Sequence, residues 1–142
     1  MKRPSPINKE VTFEEAGVLN RPLISKTDLK GIITYVNTPL TKLTGYSKEE
    51  LIGKPHNILR HPDMPKEVFK TLWNTIEKGE SFRGFIKNLR KDGKYYWVEA
   101  FIQPIYDENG VKIGYISSRK PISESDKIKY EEIYKEMKIK EE

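Results

Sequence analysis

Two short glycine turns divide the second half of this chain into three β-prone runs and leave it few choices of fold. "KDG", Lys91 to Gly93, and "DENG", Asp107 to Gly110, each end on a glycine where a tight hairpin needs positive φ. The runs they join, residues 81–90, 94–105 and 112–120, are rich in aromatic and β-branched residues. An antiparallel meander is therefore expected, and its apolar face needs a second layer to cover it.

That layer lies upstream. "LISKTDLKGIITYVN" reads as two strands hinged between Asp28 and Gly31. Gly45, Gly53, Pro55, Pro62 and Pro65 then cut the following segment into short helices, before a longer one with Val68, Leu72, Trp73 and Ile76 at helical spacing up to Gly79. Pro65 is expected as an early residue of that helix. Two strands, several short helices and three strands predict an α+β fold, a five-stranded antiparallel sheet with short helices on one face. Residues 1–22, with Pro4 and Pro6, form an N-terminal cap; 23–122 form the body. Residues 123–142 carry Tyr130, Ile133, Tyr134 and Met137 on one stripe, which predicts a C-terminal amphipathic helix.

Composition narrows the function. The 142 residues suffice for a core that stands without staples, and the net charge of +5 comes from 26 basic and 21 acidic residues mixed along the chain. Such mixing argues for a solvated surface and against nucleic acid as a partner. The absence of cysteine excludes disulfides, thiolate metal sites and thiol nucleophiles. No apolar run approaches the roughly 18 residues of a membrane span, and "MKRPSPINKEVTF" lacks the apolar stretch of a signal peptide. The expectation is a cytoplasmic protein with no direct membrane insertion. There is no phosphate-cradling glycine loop, Ser-His-Asp grouping or convergent acid pair, so a non-enzymatic role is expected.

The chemistry concentrates in "HNILRHPDMP", residues 56–65, which holds both histidines. One account is structural: Pro62 and Pro65 stiffen a loop, Asp63 accepts backbone N–H bonds at the helix start, and Arg60 pairs with an acid. The other is an anion site, in which Arg60 and His61 beside a helix N-terminus meet a phosphate. A metal held by His56 and His61 is a third option, short of the three or four ligands such sites use. Strand alternation sets Asn88 on one face with Phe82, Gly84 and Ile86, where a buried amide needs both a donor and an acceptor partner. Asn37 reads as a helix cap before Thr38 and Pro39. Phe69, Trp73, Tyr96 and Trp97 are stacking candidates that also suit a plain core.

The words "GYSKEELIGKPHNILRHPDMP" and "KNLRKDGKYYWV" resemble the flavin-binding PAS domain of the Aer aerotaxis receptors, and the resemblance covers the body of the chain. In size the chain is closest to stand-alone CetB-like PAS proteins. The resemblance implies a PAS fold holding FAD noncovalently, with Arg60, His61 and Asp63 supporting FAD binding. It also implies Asn88 at the flavin edge, as in light-oxygen-voltage domains, Asn37 at a further family position, and Trp73 and Phe69 near the ligand. His56 matches the position of the light-oxygen-voltage cysteine, so thiol–flavin photochemistry is excluded and a redox readout remains. Phe82 stands where the family often has tryptophan. Comparison with other flavin PAS strands implies that Val98, Ala100 and Ile102 face inward, leaving Trp97 for the outer sheet face, where the tails or a partner pack. The implied function is redox or oxygen sensing that signals to a separate methyl-accepting-type transducer protein in aerotaxis, with a homodimer as an option. Two alternatives stay open: a haem or small-metabolite sensor with His61 as axial ligand, and a cofactor-free dimerisation scaffold.

Overall fold

In the computed structural model, which describes residues 2–141, the strands are β1 (Leu23–Thr27), β2 (Ile33–Val36), β3 (Phe82–Leu89), β4 (Tyr95–Tyr106) and β5 (Lys112–Lys120). The helices are α1 (Thr38–Thr44), α2 (Lys48–Leu51), α3 (Lys66–Glu77) and α4 (Glu124–Lys140), with a 3-10 turn at His56–Leu59. Every strand pair is antiparallel and the spatial order is β2-β1-β5-β4-β3. The last strand in sequence is thus the central one. Its register pairs Arg119 with Leu23 on one side and with Ala100 on the other. Because successive side chains alternate between faces, Tyr115, Ser117 and Arg119 share one face of β5.

The short helices have local causes. Asn37 caps α1, accepting from Leu40 N–H, and Gly45 ends it at φ 78° with its N–H on the Thr41 carbonyl. Ser47 and Glu50 close a capping box on α2. Pro65 lies just before α3 in an extended conformation (ψ 141°) instead of within its first turn, so Lys66 is the first helical residue. With no side-chain cap of its own, α3 takes one from the far end of the chain. Glu141 accepts from Lys66 N–H at 3.2 Å and from Glu67 N–H at 3.1 Å.

Leu23, Ile33, Leu40, Leu43, Leu51, Leu59 and Ile76 form the fully buried centre between the sheet and α1 to α3. The opposite face of the sheet is covered by α4 through the stripe expected from sequence. Tyr134 stacks on Trp97 with ring centroids 6.1 Å apart and donates to the Phe85 carbonyl at 2.7 Å, while Tyr130 meets the Phe85 ring at 4.6 Å. Trp97 therefore serves the outer face. The N-terminal segment runs beside the β3–β4 hairpin: Ile7 N–H donates to the Gly93 carbonyl, and Lys9 and Val11 bond the backbone of Tyr95. Phe13 and Val18 anchor it in the core. Lys127 of α4 bridges to Glu10 at 2.8 Å, which ties the two tails together. No helix among the described residues is long and apolar enough to cross a membrane.

Candidate functional site

A cavity of about 310 Å³ lies between the helices and the concave face of the sheet, within the range that holds small ligands. Ile86, Asn88, Val98, Ala100 and Ile102 form its floor from β3 and β4, and Phe69, Leu72, Trp73 and Ile76 of α3 cover it. Ser25, Tyr115, Ser117 and Arg119 line it from β1 and β5, and Pro55, His56, Asn57 and Arg60 from the segment before α3. The Trp73 ring lies edge-on to Tyr115 at 5.7 Å and presses on Gly31. A Cβ at Gly31 would sit 2.9 Å from that ring, and its φ of 86° independently favours glycine.

Sequence-expected residues divide into two groups. His56, Arg60, Phe69, Trp73 and Asn88 line the cavity. Arg60 lays its guanidinium 3.7 Å above the Phe69 ring, its Nε is buried without a hydrogen-bond partner, and its backbone bridges to Asn88. None of the ion pairs among the described residues includes Arg60, so its expected pairing with an acid is not formed. The Asn88 amide is buried beside the Tyr96 hydroxyl, as cross-strand register dictates.

His61, Asp63 and Asn37 lie outside the cavity wall. His61 Nδ1 accepts from Asp63 N–H at 3.0 Å, and the ring meets Tyr95 edge-on at 6.1 Å. Asp63 pairs with Lys87 Nζ at 3.0 Å, and Lys87 in turn sits over Tyr95 at 4.3 Å. Together these contacts fasten the turn after Arg60 to the β3–β4 hairpin. His61 therefore does not line the cavity, whereas His56 does, and the two rings have different hydrogen-bond partners. Asn37 is held by β1, its Oδ1 accepting from Ile24 N–H at 3.1 Å and its Nδ2 donating to the Pro22 carbonyl at 2.8 Å. Phe82 keeps the face of Gly84 and Ile86, its ring folding over Gly84, but it lines a groove between α3 and α4 instead of the cavity.

The cavity contains a polar triangle that sequence reasoning missed. Arg119 Nη2 donates to Ser25 Oγ at 2.8 Å and to His56 Nε2 at 2.8 Å, and Ser25 Oγ stands 3.2 Å from the same nitrogen. A guanidinium only donates, so His56 Nε2 accepts and its ring proton belongs on Nδ1. Burial, and then the Arg119 charge, push the His56 pKa down to about 3. His61 falls to about 4, by burial first and then Lys87. With Lys30 and Arg60, Arg119 brings the cavity wall to three cations, and no aspartate or glutamate lines it. The sequence signal for Arg119 was its even spacing from Tyr115 and Ser117 along one run of strand-forming residues.

A histidine held neutral in the folded state and free to protonate when unfolded makes stability rise with pH between its folded and unfolded values. For His56 that window runs from about 3 to 6.5. Below pH 6.5 the domain should lose up to about 1.4 kcal/mol per pH unit from this group. Urea midpoints between pH 6.5 and 5, above the main carboxylate range, should fall more steeply for the wild type than for His56→Gln. Parallel slopes would remove His56 as the source.

Sheet, helices and a partly open cavity between them define an α+β domain. The chain belongs to the PAS fold family, which its residues 33–119 match. It is 42% identical over 113 residues to the aerotaxis receptor of Escherichia coli (strain K12), a match covering 80% of this chain and 22% of the receptor. It is 31% identical over 102 residues to a nitrogen fixation regulatory protein of Klebsiella pneumoniae, covering 72% of this chain and 21% of that protein. The chain thus spans about a fifth of the length of these relatives. A solved PAS domain from Colwellia psychrerythraea superposes with a TM-score of 0.65 at 35% identity, over 71% of this chain and 86% of that one.

Proposed function

We propose that this PAS domain is a redox or oxygen sensor that holds FAD noncovalently and signals to a separate methyl-accepting-type transducer, as part of an aerotaxis response. The observation that carries the reading is a cavity whose wall combines three aromatic side chains, a buried amide and three cations with no carboxylate among the described residues. Similarity to an aerotaxis receptor supports it. Arg60 and Lys30 meet phosphate charge, Trp73 and Phe69 cover the ring, and Asn88 meets its polar edge. Bound FAD supplies a redox-sensitive hydrogen-bonding edge, on which reduction turns an acceptor nitrogen into a donor. The Asn88 amide carries both a carbonyl oxygen and an NH2 group, so it serves either state by reversing its orientation. Asn88 belongs to β3, next to the strand that α4 grips through Trp97, which gives a rearranged bond a short route to the tails. The domain acts as a receptor in this reading, not as a catalyst, in the cytoplasm, and a homodimer is compatible with it.

The first experiment is the visible spectrum of purified protein before and after dithionite. Flavin bands that bleach, with FAD in the heat-released supernatant, support the reading. A Soret band, or a protein that stays colourless after incubation with FAD, overturns it. Asn88→Ser should keep FAD but shift its potential, since one rearranged buried hydrogen bond is worth about 1 kcal/mol, or about 20 mV for a two-electron couple. An unchanged potential together with an unchanged transducer response would remove Asn88 from the mechanism.

A further inference from the structure

Arg119 is a buried cation that no acid among the described residues answers. Its relative exposure is 6%, and its acceptors are Ser25 Oγ, His56 Nε2 and the Ser117 carbonyl at 3.4 Å, all neutral. None of the ion pairs among the described residues includes it. Tyr96 nearby supplies no charge either, since burial pushes its phenol up to about 12. A guanidinium enclosed in this way is strongly unfavourable unless something anionic meets it, and its group opens onto the cavity that it lines.

We propose that Arg119, Ser25 and His56 form an inner anion subsite, distinct from Lys30 and Arg60, that recognises a negatively charged acceptor edge of the ligand. Naming the ligand rests on the FAD reading above; the anion preference does not. The two groups of cations then have separate tasks. Lys30 and Arg60 answer phosphate charge, which is the same in both oxidation states. Arg119 answers a charge that exists only after reduction: two electrons and one proton convert the oxidised ring to an anion, and the guanidinium stands in for the second proton. Dithionite is the electron donor in the test. The subsite therefore binds the reduced ligand more tightly than the oxidised one, and His56, kept neutral, leaves the positive charge to Arg119 alone.

The test uses the full chain, at one pH, as wild type, Arg119→Gln and Arg119→Lys. Dissociation constants are measured for oxidised FAD and for FAD kept reduced by dithionite, and ligand-free samples are melted with and without sodium nitrate, compared with sodium sulfate at equal ionic strength. Expected is a ratio of oxidised to reduced constants that falls at least tenfold in Arg119→Gln and is largely kept in Arg119→Lys, with nitrate raising the melting temperature only where the cation is present. If Arg119→Gln does not fold, Ser25→Ala carries the test, with a smaller fall in the same direction. An unchanged ratio in a folded Arg119→Gln overturns the subsite while leaving the FAD reading intact. A wild type that binds no FAD, yet is stabilised by nitrate through Arg119, overturns the FAD reading and keeps the subsite. No response to either ligand overturns both.

Discussion

Arg60→Ala should yield a folded domain that no longer retains FAD. Arg60 does its structural work through the main chain: its N–H donates to the Asn57 carbonyl, its carbonyl accepts from Arg3, and its backbone bridges to Asn88. Alanine keeps all of these. What disappears is a half-buried guanidinium stacked on Phe69, with a buried Nε and no acid partner. Losing one partner of a desolvated charge contact typically costs about 2–5 kcal/mol of binding, roughly 30-fold to several thousandfold in affinity. Fluorescence titration of apo-protein with FAD, beside a thermal melt, checks both halves of the expectation. His61→Ala should behave differently, losing occupancy and stability together, because that ring fastens the turn against Tyr95. Full FAD occupancy in Arg60→Ala would sink the phosphate role.

Tyr134→Ala should release α4 from the sheet. The ring is buried, stacks on Trp97, meets Tyr130 at 5.4 Å and donates to the Phe85 carbonyl. Burial raises its phenol pKa, so the hydroxyl remains a donor at any working pH. Truncating a buried aromatic side chain costs about 3–5 kcal/mol; Tyr134→Phe, which deletes only the hydrogen bond, should cost about 1 kcal/mol. Urea unfolding measures the difference. Trypsin should cut at Lys135 and Lys138 in the alanine variant while sparing the wild type. Equal midpoints and equal resistance would mean that α4 is held by something other than this ring.

The meander was legible because Gly93 and Gly110 carry their turn chemistry locally, and alternation grouped Asn88 with Ile86 and set Trp97 apart from Val98, Ala100 and Ile102, while which of these faces turns inward came from the resemblance to flavin PAS strands. Strand order was harder to read. Nothing local to β5 says that it inserts between β1 and β4, and a charged residue near a strand end ordinarily reads as solvent-facing, so Arg119 escaped notice. His61 and Asp63 belong to motif words that resemble a flavin-binding PAS site, and Asn37 to a further family position. Their own contacts, to β1 and to Lys87 and Tyr95, depend on chain segments that meet only in three dimensions. In this fold the motif thus mixes residues that touch the cavity with residues that hold the touching ones in place.

The carboxylate of Glu141 on the first amides of α3 closes a mechanical loop. One element, α3, supplies the roof of the cavity through Phe69 and Trp73. The same element is coupled at its N-terminus to the last turn of α4, which is itself clamped on the far side of the sheet. Through this one carboxylate the helix covering the cavity and the helix behind the sheet share a direct polar contact, although they lie on opposite faces.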